Sequence, residues 1–226
     1  MNKTFKCIAL AGCVAGLFAS GAASAQSAGS WLVRAGAVRI DPKVDSGDLS
    51  SPSFPGTKAD VDASTQFGGG ITYMWSDNIA IDLPLSLPFK HDINGDGAIA
   101  GVGKIGETKA LPITLMGQYR FLEASSPLRP YVGAGITYAK FYKEKGTAAL
   151  SALTGGSASN PTTLKVDSKA AATIQVGASY TFNERWFVDA TVLKTFLKTT
   201  TTLSTGQQLD IKLDPLTTAV FVGYRF

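Results

Sequence analysis

Large apolar side chains recur at every second residue in eight separate stretches of this chain. The regular example is Ile79–Phe89, where Ile79, Ile81, Leu83, Leu85, Leu87 and Phe89 share one parity. Thr65–Ser76 carries Phe67, Ile71, Tyr73 and Trp75 in the same way, and Ile105–Phe121 carries Leu111, Ile113, Leu115, Tyr119 and Phe121. Ser30–Ile40, Pro130–Tyr142, Ala170–Phe182, Arg185–Lys198 and Leu209–Phe226 complete the set. A two-residue period is that of a β-strand with one greasy face. No stretch after residue 25 reaches the ~18–20 continuous apolar residues of a membrane helix, yet each segment can supply the ~9–11 residues of a tilted membrane strand. A mean hydropathy of +0.12, reached by alternation and not by runs, fits strands with lipid on one side. The predicted fold is all-β, an eight-stranded antiparallel transmembrane β-barrel of the outer membrane.

The connections support this. Residues 76–78, 122–128 and 183–184 form short links, whereas 41–64, 91–104, 143–169 and 199–208 are long and rich in Gly, Ser, Thr and Asp. Short links on one side and long loops on the other match an outer-membrane barrel with the short side periplasmic. Trp31, Trp75, Tyr119, Phe121, Tyr180, Phe182, Trp186, Tyr224 and Phe226 gather at the short-link ends as an interfacial girdle. A soluble β-sandwich would not need its aromatics at one end. A short helical turn is predicted at Ala148–Leu153.

The first 25 residues read as a secretory leader. Lys3 and Lys6 precede the apolar stretch Cys7–Ala19, and Ala23-Ser24-Ala25 offers a small-residue cleavage site. The predicted division is therefore a signal peptide at 1–25 and a barrel at 26–226. Leu10-Ala11-Gly12-Cys13 also resembles a lipoprotein box, but cutting there leaves too short an apolar core. Cys7 and Cys13 are the only cysteines and would leave with the leader, so neither a disulfide nor a thiolate metal site is expected. Losing Lys3 and Lys6 takes the 21 basic side chains to 19 against 17 acidic, too balanced for nucleic acid.

With the aliphatic parity toward lipid, the other parity points inward. Toward the short links this set is charged: Arg34, Asp82, Gln118, Arg120, Arg129, Asp189 and Arg225. Unpaired charges in a narrow barrel are costly, so the two aspartates are expected to pair with the arginines and plug the periplasmic half. Toward the long loops the inward set turns apolar: Val38, Ile40, Pro84, Pro88, Pro112, Met116, Phe141, Leu193 and Leu197. That is a lumen for an apolar ligand above a closed floor. Pro84 and Pro88 sit within the third strand, where a proline removes a ladder donor. Alternate residues direct their N–H groups to opposite neighbours. If Trp75 and Ile79 close the preceding turn, both prolines face the fourth strand, weakening that seam; Pro112 adds irregularity from the other side.

Catalytic chemistry finds little support. His91 is the single histidine, at a strand end beside Asp92, and no nucleophile motif accompanies it. "DINGDG" at 92–97 opens like a calcium loop, but Gly103 occupies the twelfth position, where a bidentate glutamate is needed. No enzyme activity, metal or cofactor is expected. At the carboxyl end Val220, Val222, Tyr224 and Phe226 form an outward series ending in an aromatic, similar to the terminal signal that outer-membrane barrels present to their assembly machinery.

"WLVRAG" at 31–36, "LPFKHDI" at 87–93, "ETKALPITLMGQYRF" at 107–121, "RPYVGAGITY" at 129–138 and the terminal "GYRF" resemble the outer membrane protein W family, which includes the AlkL proteins. The likeness spans the chain after the leader, although the 143–169 loop departs from it. It implies an eight-stranded barrel with a hydrophobic lumen that takes up small hydrophobic molecules and releases them sideways into the membrane. Outer-membrane lipid and small hydrophobic ligands are the expected partners. The alternative is a structural or adhesive barrel whose long loops meet outside partners.

Overall fold

The computed structural model describes residues 26–226. The expected leader, with both cysteines, lies outside the described residues. The strands in chain order are β1 (Trp31–Asp41), β2 (Asp45–Ser46), β3 (Thr57–Val61), β4 (Ser64–Met74), β5 (Ile79–Ser86), β6 (Phe89–Gly97), β7 (Lys104–Arg120), β8 (Leu128–Gly146), β9 (Leu164–Val166), β10 (Lys169–Thr181), β11 (Trp186–Thr195), β12 (Lys198–Leu203), β13 (Gln208–Lys212) and β14 (Leu216–Arg225). One helix is found among the described residues, α1 (Ala148–Thr154), where the sequence predicts a turn.

Antiparallel ladders run β1–β4, β4–β5, β5–β7, β6–β7, β7–β8, β8–β10, β10–β11, β11–β14 and β14–β1. The ring closes on itself as an eight-stranded antiparallel barrel whose third wall strand is divided into β5 and β6. Pairing of β14 with β1 removes the two free edges that an open sheet would present to hydrocarbon. A smaller sheet, β2-β13-β12-β9, stands on the long-loop side.

The outer surface inverts the pattern of a soluble protein. Ile79, Ile81, Leu83, Leu85 and Leu87 are all exposed, as are Ile113, Leu115, Val132, Ile136, Ile174, Val176, Val188, Val220 and Val222. A continuous apolar band of this extent marks a lipid-facing surface. The girdle is built from touching rings at its periplasmic rim: Trp31 with Tyr73 at 4.8 Å between centroids, Tyr119 with Phe121 at 5.1 Å, and Trp186 with Tyr224 at 5.1 Å.

Two expectations are corrected. Alternation predicts Phe89 on the lipid face, whereas it is fully buried inside the barrel. Asp82 pairs with Met116 and Phe89 with Ala110. Between those pairs the third strand spends Leu83 to Pro88 against Leu111 to Leu115, one residue more than its neighbour. The extra residue makes a bulge, and a bulge of one flips the side-chain parity beyond it. His91 and Ile93 therefore point inward and Lys90 outward. Second, the 199–208 and 91–104 loops are largely strand. Thr199, Thr201 and Leu203 alternate inward on β12, as Leu209 and Ile211 do on β13. The wall continues past the lipid band, with threonine on the inner face of its β12 part.

Candidate functional site

The lower lumen is a packed polar floor. Arg34 on β1 donates from Nη2 to Asp82 Oδ2 on β5 at 2.7 Å, and from Nη1 to Thr72 Oγ1 at 2.8 Å. Thr72 donates to the other Asp82 oxygen at 2.6 Å, and Gln118 Nε2 reaches Asp82 Oδ2 at 3.0 Å. Arg34 Nε lies 4.0 Å from Asp189 Oδ1, whose carboxylate accepts from Tyr131 at 3.0 Å. Small residues make the room: a Cβ on Gly70 would stand 2.9 Å from the Arg34 guanidinium, and one on Gly223 would meet the Phe187 ring at 2.1 Å.

The expected pairing of aspartates with arginines holds for Arg34 alone. Arg120 donates to neutral oxygens, Gln26 Oε1 at 2.9 Å and Gln118 Oε1 at 3.0 Å, and lies over the Tyr131 ring at 4.6 Å. Arg129 is buried but spends its donors on backbone carbonyls, including Asp77 at 2.6 Å and Gln26 at 3.0 Å. Arg225 stands at the rim, outside this cluster, and donates to the Glu184 carbonyl. Sequence parity missed Gln26 and Tyr131. Gln26 lies before the first strand, where alternation carries no information. On β8 the apolar series that includes Val132 marks the outward parity, and Tyr131 belongs to the other. Beneath the charges Leu32, Met74, Ala80 and Phe187 close the barrel with an apolar cluster.

A belt of hydroxyls caps the floor. Thr114, Thr137, Thr173 and Thr195 are linked Oγ1 to Oγ1 at 2.9, 2.7 and 3.0 Å across four wall strands. A cavity of about 170 Å³ rises from them toward the long loops and reaches down to Arg34 and Gln175. Val38, Ile40, Pro84, Pro112, Phe141, Leu193 and Leu197 are among the residues that line it. Met116 does not: it is buried below, so close to Gly135 that a Cβ there would be 2.7 Å from its sulfur. Pro88 sits at the strand break and also falls outside the lining. Phe89, Ala219 and Phe221 complete the lower wall with Val38 and Ile40. Ile93, Leu150, Leu164, Leu203 and Ile211 form the roof cluster.

The wall beside this cavity is unpaired. The β5–β7 ladder ends at Asp82–Met116 and the β6–β7 ladder begins at Phe89–Ala110. No ladder joins Leu83–Pro88 to Leu111–Leu115. Leu87 N donates to Phe67 O on the second strand at 3.0 Å, and Arg120 N donates across to Asn78 O at 2.7 Å. On those parities Pro84 and Pro112 each turn a donorless nitrogen to the opposite strand. Pro84, Leu85 and Ser86 on one lip, and Pro112 and Thr114 on the other, line the cavity. Leu85 is also 47% exposed on the outside, so one side chain separates lumen from lipid.

At the carboxyl end Val220, Val222 and Phe226 face outward and Tyr224 is half-buried, its ring 4.9 Å from that of Phe226.

Comparison with known proteins agrees with this architecture. Residues 27–226 match the model of the OmpW family. The chain is 38% identical over 218 residues to outer membrane protein W of Escherichia coli K12, covering 92% of this chain and 93% of that one. It is 36% identical over 210 residues to outer membrane protein W of Vibrio cholerae, covering 89% and 91%. The crystal structure of OprG from Pseudomonas aeruginosa superposes with a TM-score of 0.79 at 28% identity, covering 88% of this chain and 97% of that one. Eight-stranded closure, the apolar outer band and these matches agree: the chain belongs to the OmpW family of outer-membrane barrel proteins.

Proposed function

We propose that the barrel is a passive channel for small hydrophobic molecules, which enter the apolar upper lumen and leave sideways through the wall between β5/β6 and β7. The observation that carries this reading is the unpaired stretch Leu83–Pro88 beside the cavity. An intact ladder would close that wall, and the buried floor offers a small apolar molecule no route straight down. The charged layer acts as a plug that also stabilises the barrel. The outward series from Val220 to Phe226 serves assembly.

Leu83→Cys with Leu115→Cys tests the exit, since these positions lie directly above the last ladder pair, Asp82–Met116. In cells expressing the protein, a labelled apolar compound should enter faster than in cells without it. Oxidation of the cysteine pair should abolish that gain, and reductant should restore it. Uptake at the parental rate through the cross-linked barrel would sink the lateral route and leave a structural barrel as the better reading.

A further inference from the structure

We propose that His91 and Thr108 form a polar clasp in the cavity wall that selects apolar molecules carrying one hydroxyl group. The inference rests on the channel reading and names its substrate class. His91 on β6 and Thr108 on β7 are register partners, so their Cβ atoms stand roughly 4.5–5.5 Å apart. Both point inward, only 4% and 5% exposed, and both line the cavity.

Each has hydrogen-bonding capacity that the protein leaves unused. His91 Nδ1 lies 2.7 Å from the Asp62 carbonyl. A carbonyl can only accept, so Nδ1 carries the hydrogen. This strand lies above Leu87, the last outward aliphatic of its wall strand, and burial pushes the ring's pKa below the usual histidine value. The ring is therefore neutral at pH 7 and its Nε2 is a bare acceptor. Thr108 Oγ1 is buried with no hydrogen-bond partner, and its hydroxyl can donate. Buried hydroxyls are nearly always partnered, so an orphan in a cavity wall points to a missing group.

An acceptor and a donor side by side match a hydroxyl, which donates to Nε2 and accepts from Thr108. An ether or ketone satisfies Thr108 alone, and a hydrocarbon satisfies neither. Sites that hydrogen-bond a substrate hydroxyl discriminate strongly against analogues lacking it, because their own polar groups are then left unpaired.

The test uses the purified full-length barrel in lipid nanodiscs. Octane, 1-octanol and 1-methoxyheptane compete with an apolar fluorophore bound in the cavity, each corrected for partition into empty nanodiscs. The parent should prefer octanol over octane by about tenfold, one hydrogen bond's worth at 1.4 kcal/mol per decade, with the ether between them. Thr108→Val and His91→Phe should each remove the preference of octanol over octane. Thr108→Val is isosteric, and heat-dependent gel mobility reports that it is folded. Equal affinities for the three in the parent, or a preference that survives both substitutions, would overturn the clasp and leave the channel standing. Failure of all three to displace the fluorophore would overturn the channel reading too.

Discussion

Asp82 has no exposed surface and accepts from Arg34, Thr72 and Gln118. Replacing it by alanine strands the Arg34 guanidinium in a closed lumen, with Asp189 at 4.0 Å as its remaining ion-pair partner. Removing one member of a buried pair costs roughly 3–5 kcal/mol. Asp82→Ala should lower the urea midpoint of the barrel in lipid vesicles by a corresponding amount, while Asp82→Asn, which keeps one acceptor oxygen, should lose less. Equal midpoints for parent and Asp82→Ala would mean that the floor does not hold the barrel together. Alternation alone predicted that Arg34, Asp82, Gln118, Arg120, Arg129 and Asp189 share the lumen, because parity fixes the side of a strand on which a residue lies. It could not predict who bonds whom. Arg129 turned to the carbonyls of Asp77 and Gln26 because the loop and the segment before β1 fold under it, and neither has a period to read.

The third wall strand shows where legibility ends at the scale of an element. Its two prolines were visible in the sequence, and their effect on the seam was derivable from donor geometry. The bulge they accompany was not, since one extra residue leaves the apolar pattern looking unbroken through Phe89. The inward parity of Phe89 and His91 follows from that single insertion, and so does the position of His91 opposite Thr108. Pro84→Ala with Pro88→Ala should return two N–H groups to this region. Each hydrogen bond that forms toward β7 adds a net ~0.5–1.5 kcal/mol. The two together could shift an open–closed equilibrium by about tenfold toward the closed wall. Hydrophobic uptake should fall while the barrel becomes harder to unfold. A double variant that gains stability without losing uptake would show the prolines to be wall irregularities with no part in transport.

At the scale of the whole molecule, the closed wall and the segment before it act together. Gln26 lies before β1, yet it is only 2% exposed and seated in the floor. Its N–H donates to the Ala124 carbonyl at 2.9 Å, its side-chain oxygen accepts from Arg120 at 2.9 Å, and its amide nitrogen reaches Ser179 at 3.2 Å. The segment before β1, the β7–β8 link, β7 and β10 thus meet at one point on the short-link side, and the barrel is shut there. We propose that a leader is removed after Ala25, which would make Gln26 the first residue of the mature protein and leave it free to tuck beneath the wall once the strands have closed. Intact-mass measurement on outer-membrane material should give a chain beginning at Gln26, and a lipidated Cys13 at the terminus would refute this division. Gln26→Ala should leave the Arg120 guanidinium short of an acceptor and cost about 1–3 kcal/mol, read as an earlier urea transition in lipid vesicles. The apolar part of the lumen should be unaffected, because Gln26 is not among the residues that line the cavity. Apolar uptake by the folded Gln26→Ala barrel should therefore match the parent, and a change in uptake as large as that produced at the seam would mean that the floor is part of the path.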